Sequence, residues 1–256
     1  MILIAGWNMT TTATDAIAPH IATRTRRVFV PLALLAILIA AIGFWPGYFG
    51  PVLAQMKAKT ALVHFHAVVF TGWLMLFTMQ AALAASGRIA LHMRMGRWLF
   101  VFGAVLIVVG VVTAFGRFEN DLAANDMALA TRRLFGPLRD MVVFAPLLVA
   151  GWIYRRKPEI HKRIMLVATN VLLVAAVSRM RFLGDWFGVP PPVLIVLGIW
   201  TLPVLLAMVH DFVTKRLVHP VYVIGLGAMV AMQLVAPVRT SQPWLEFTTW
   251  LAAFYR

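Results

Sequence analysis

Apolar residues in this chain come in long blocks separated by short polar stretches, without the strict alternation of a half-buried strand. The blocks lie at about residues 28–45, 62–85, 98–115, 137–154, 164–183, 193–213 and 221–238. Each is close to the roughly 20 residues an α-helix needs to cross a hydrocarbon layer about 30 Å thick. The pattern predicts an all-α bundle of seven transmembrane helices, since a helix satisfies its own backbone hydrogen bonds where lipid offers none. The fourth block is the least regular: its apolar run begins only after Arg139 and Asp140, and Pro146 removes a backbone donor inside it. The longest connection, 116–136, precedes it, and residues 125–135 are expected to lie there as an amphipathic surface helix.

The ends of the chain read differently. Residues 1–27 form a Thr- and Ala-rich tail that finishes on Arg24, Arg26 and Arg27, and 28–238 make up the membrane domain. The last stretch, 239–256, has Pro243 near its start followed by Trp244, Phe247, Trp250, Leu251 and Phe254, the pattern of an interfacial helix anchored by aromatics.

Composition agrees with this division. Hydrophobic residues make up 62% of the 256, charged residues 12%, and the mean hydropathy is +0.86, which leaves no room for a large soluble domain. A formal charge of +14 would suggest nucleic acid in a soluble protein. Here the cations gather at span ends, so the expected partner is the bilayer and not nucleic acid. Arg88, Arg94, Arg97, Arg155, Arg156, Lys157, Lys162, Arg163, Lys215 and Arg216 fall on the side of the N-terminal tail, and Glu119, Asp121, Asp126, Asp140, Asp185 and Glu246 on the other. The bias of short loops then predicts a cytoplasmic N-terminus and an outside C-terminus. With no cysteine, the chain has no thiolate nucleophile, disulfide or cysteine metal ligand.

The polar residues inside and beside the spans are the candidates for function. The second block opens with His64 and His66, which point about 200° apart on a helix and so do not share a metal by themselves. His66, Trp73 and Gln80 recur every seventh residue, and that stripe is expected to face the bundle interior because Gln80 is costly in lipid. His66 is the histidine that looks buried in the apolar interior, whereas a bis-histidine haem, which needs imidazoles from two helices at one depth, could draw them from the inner His92, His161, His210 and His219. Three inner loops end alike, in Arg88-Ile-Ala-Leu-His92, Lys157-Pro-Glu-Ile-His161 and Lys215-Arg-Leu-Val-His219, each just before a span that runs outward. The pattern reads as three similar hairpins with histidines at one depth, or as topological cations only. Pro220 makes the third copy the least faithful. His210-Asp211 adds an imidazole and a carboxylate at the same level, enough for a proton-exchanging or ligand-binding cluster. Asn170 and Arg179 complete the set, Arg179 either buried with an anionic partner or snorkelling to outer headgroups.

The motifs His64-Phe-His66, Phe70-Thr-Gly-Trp73, Gln80, Leu91-His92, His161-Lys-Arg163, His210-Asp211 and His219-Pro220 resemble a family of uncharacterised bacterial seven-helix membrane proteins. The resemblance implies the fold and a bacterial inner-membrane location, and no reaction. A looser similarity, in size and scattered histidines, is to membrane factors that assist haem–copper oxidase assembly.

These residues leave three functional classes open. The first is a haem- or metal-binding membrane protein of respiratory or redox biology, with His64, His66, His92, His161, His210 and His219 as candidate ligands and Trp73, Gln80, Asn170, Arg179 and Asp211 as its polar interior. The second is a small-molecule or proton-coupled transporter. The third is a non-catalytic assembly subunit that pairs with another membrane protein or a second copy of itself. A retinal protein is excluded because the seventh block has no lysine, and hydrolase motifs are absent.

Overall fold

The computed structural model describes residues 27–55, 59–180, 182–183 and 193–255. Among the described residues there are no strands, and seven helices are long and apolar enough to cross a membrane. We number them α1 (Phe29–Phe44), α2 (Ala61–Ala85), α3 (Ile89–Ala123), α4 (Met127–Ile153), α5 (Pro158–Leu172), α6 (Val193–Lys215) and α7 (Pro220–Leu234), followed by α8 (Gln242–Ala252). A π-helical segment, Trp45–Phe49, prolongs α1, and a short helical piece, Val174–Val177, continues α5. The expected N-terminal tail, except for Arg27, and Asp185 lie outside the described residues.

The connection expected over 116–136 is not a loop. Helix α3 runs on to Ala123 and α4 starts at Met127, so the two make one long hairpin. No glycine or proline cluster interrupts the stretch; the turn needs only Asn125 in the left-handed region (φ 58°) and Asp126, whose carboxylate accepts from the Leu129 amide at 2.8 Å. At about 1.5 Å per residue, the 35 residues of α3 exceed the hydrocarbon thickness by some 20 Å. The far end of the hairpin is covered by α8: Trp244 donates to the Thr131 carbonyl at 3.0 Å, Thr248 and Thr131 pair at 3.1 Å, and Ala252 closes on Phe118, Ala130 and Leu134. One side of the aromatic C-terminal helix is therefore committed to this contact, while Trp250 and Phe254 remain exposed.

Six helices close a ring in the order α1, α2, α3, α4, α7, α6, and α5 fills the centre. The buried share is 78% for the best window of the fifth span and no more than 33% for any other, so every face of α5 meets protein. Close approach makes this feasible. A Cβ on Gly43 of α1 would collide with the backbone of Ala176, and one on Gly225 of α7 would lie 2.6 Å from a Val167 methyl. Mid-membrane, the Asn170 amide donates to the Trp200 carbonyl at 2.6 Å while the Trp200 indole returns a bond to the Asn170 carbonyl at 2.8 Å. The same carbonyl takes the Leu173 amide, three residues on, where α5 breaks.

Candidate functional site

The candidate site lies at the basic end of the bundle, where Arg88, Arg94, Arg97 and Lys162 gather. His92 and His161 occupy the same place in two successive hairpins: each is the fourth residue of a helix, α3 from Ile89 and α5 from Pro158. Each imidazole turns back to a carbonyl near the end of the preceding helix, His92 Nδ1 to Gln80 at 3.2 Å and His161 Nδ1 to Gly151 at 2.9 Å. A carbonyl oxygen only accepts, so in both rings the Nδ1 carries the proton and Nε2 keeps its lone pair. Metal-bound histidines are commonly oriented by this same kind of outer bond.

The two rings stand 6.4 Å apart, centre to centre, at 83°. A metal held between two imidazoles needs about 2 Å for each bond and roughly 1 Å from each nitrogen to its ring centre, or a little over 6 Å in all. Both rings line a small cavity of about 100 Å³ that is partly open to its surroundings. Trp73, Phe77, Leu99, Phe100 and Met165 make its apolar wall, and Gly96, one turn beyond His92, leaves a side of it open. Among the described residues, and apart from its chain neighbours and its own helix backbone, the atom that meets a Cβ placed there is Gln80 Oε1, at 3.8 Å. Gln80 is 8% exposed, and neither atom of its carboxamide has a hydrogen-bond partner among the described residues.

The His66 stripe divides. Trp73 and Gln80 are buried and reach the cavity, Trp73 with its indole fixed on Thr169 at 3.2 Å and its ring edge-on to Phe144. His66 itself stacks on Phe70 with ring centres 4.1 Å apart, about 21 Å along α2 from Gln80. His64 is bonded to the Tyr48 hydroxyl at 2.9 Å, in the π-helical segment. Neither joins His92 and His161.

The remaining candidates serve the packing of α5, α6 and α7. Asp211 is 1% exposed and pairs with Arg163, also 1% exposed, through Nε at 2.9 Å and through Nη2. Arg163 in turn reaches Glu159, which also binds Lys162 and Lys215 at 2.6 Å each. The His210 ring lies beside Asp211, Nδ1 to Oδ1 3.7 Å, too far to share its proton. His219 accepts from the Val221 amide at 3.3 Å as the N-cap of α7, and burial, then the nearby Arg163 charge, hold its pKa down at about 4. At the far end, Arg179 is exposed over the Phe44 ring at 4.9 Å and donates to the Ala175 carbonyl, the posture of a snorkelling arginine.

Arg163, Lys162 and Gly96 were not among the sequence candidates for a site. The signal for Arg163 is its spacing: it stands seven residues before Asn170 and so on the same face of α5. Among the described residues no cluster of three or more His, Asp or Glu side chains is arranged to hold a metal ion. Compared with protein-family models, curated proteins and solved structures, the chain matches none.

Proposed function

We propose that this chain is a haem-binding protein of the bacterial inner membrane, acting in respiratory or redox biology with its basic end in the cytoplasm, and that His92 and His161 would hold the haem iron. The observation that carries the reading is the pair itself: two imidazoles from different helices, each with its Nδ1 proton committed to a carbonyl, 6.4 Å apart on an aromatic-walled cavity. A porphyrin brings four nitrogens of its own and would ask the protein for two, the number of imidazoles the cavity presents. Bound haem would supply one-electron chemistry, and this chain's contribution is to fix the ring orientations and keep the site apolar. A transporter finds less support, because the buried Arg163 and Asp211 neutralise each other and Asn170 is tied to Trp200.

The test is an absorption spectrum of detergent-purified protein made with ample haem, oxidised and then dithionite-reduced. The expected result is a low-spin spectrum whose Soret band shifts on reduction, lost in both His92→Ala and His161→Ala and kept in His66→Ala. A featureless spectrum, or loss only in His66→Ala, would sink the reading.

A further inference from the structure

Two features of the cavity are not explained by an apolar macrocycle. One is Gln80, more than nine-tenths buried, with donor and acceptor both unmatched. A buried amide in that state costs free energy until something polar meets it. The other is a charge excess at the cavity's edge. Lys162 lines the cavity and belongs to a network in which three cations, Lys162, Arg163 and Lys215, share two carboxylates, Glu159 and Asp211. Lys162 is the member of that network at the cavity, its ammonium also 5.6 Å from the centre of the Phe29 ring in the cavity wall. Depth agrees as well: Gln80 is five residues from the basic end of α2 and Lys162 four residues into α5, so both lie within about 8 Å of their helix ends, level with the two histidines.

Resting on the haem reading, we infer that Gln80 and Lys162 form the carboxylate-binding edge of the pocket, so that the tetrapyrrole it accepts carries free propionates directed at the basic end. The Gln80 NH2 and the Lys162 ammonium donate to carboxylate oxygens, which meets the unmatched Gln80 donor and balances the extra positive charge of the network. Charge-assisted hydrogen bonds of this kind are worth about tenfold or more in affinity.

The experiment titrates apoprotein in detergent with iron protoporphyrin IX and with its dimethyl ester, which keeps the ring and the iron and removes both charges. Wild type should bind the free acid at least tenfold more tightly than the ester, and the gap should narrow in Lys162→Met and Gln80→Leu. Equal affinity of wild type for acid and ester, with the bis-histidine spectrum intact in both, would overturn the inference and leave the haem reading standing. Failure of either porphyrin to give that spectrum would overturn both. The wild-type comparison needs no variant, so a variant that fails to fold leaves the test decisive.

Discussion

The hairpins α2–α3 and α4–α5 hold their histidines one way, and the hairpin α6–α7 holds its histidine another. In the first two, the imidazole sits in the first turn of the second helix and reaches across to the first. In the third, His219 stays outside the helix and caps it. The three sequences look alike up to the histidine, and the difference lies in where the helix begins. Pro158 starts α5 three residues before His161, whereas Pro220 starts α7 just after His219. The start of the helix thus decides whether the histidine lies in its first turn, lining the cavity, or outside it as a cap; Pro158 and Pro220 mark that start in two of the hairpins and Ile89 in the other. The third hairpin puts its buried polarity to a different use, the Arg163–Asp211 pair that ties α6 to the central helix.

The sharpest way to break this comparison is to remove Asp211. Asp211→Ala leaves the buried Arg163 guanidinium with Glu159 as its remaining carboxylate and strips the partner from Nε and Nη2, at a cost of up to roughly 3–5 kcal/mol. Thermal unfolding in detergent should show the largest loss of any single change in the third hairpin, while Asp211→Asn, which still accepts a hydrogen bond, should lose less. A melting temperature unchanged by Asp211→Ala would mean that the pair does not secure α6 to α5.

A smaller effect separates two glycines. Gly225→Ala drives a methyl group against Val167 at 2.6 Å in the tightest contact of α7 with α5, and overpacking of that kind costs about 1–3 kcal/mol. Gly96→Ala places its methyl in open space near Gln80 and should be neutral or stabilising by up to about 1 kcal/mol, as in other helix interiors. Gly96→Leu should keep the fold and cut porphyrin binding, because its side chain enters the cavity. If Gly96→Leu bound porphyrin as wild type does, the ligand would have to lie elsewhere.

Much of the bundle was legible in the sequence because apolar block length is set by bilayer thickness and needs no partner to be read. The interior stripe was half legible. Trp73 and Gln80 turned inward, as the cost of Gln80 in lipid requires, but His66, on the same stripe, lies two turns before Trp73 and four before Gln80, where α2 meets different neighbours. The recurrent histidines were visible as a motif, and their depth followed from span ends. Their convergence did not, since it depends on α3 and α5 flanking one cavity across 69 residues of chain. The long α3–α4 hairpin was missed because its polar surface residues read as loop, although the stretch contains few helix breakers. The partner of Arg163 stands 48 residues away, and no local pattern points to it.

The smallest effect tests the capping role of His219 directly. As an N-cap its ring must accept from the Val221 amide, which only the neutral imidazole can do. His219→Ala should cost about 1 kcal/mol and leave the haem spectrum untouched, while His219→Asn, a good capping residue, should recover most of that loss. The pH dependence gives a second reading of the same contact. With its pKa held down at about 4 in the fold and near 6.5 in the unfolded chain, His219 contributes its full stability above pH 6.5. That contribution declines as the pH falls from there through about 4, because the unfolded state takes up the proton first. Asparagine does not titrate, so the stability of wild type relative to His219→Asn should fall over that window and stay constant above it. A difference that stays flat from pH 7 to pH 4 would mean that His219 is not the half-buried neutral cap, and the contrast between the third hairpin and the first two would lose its physical basis.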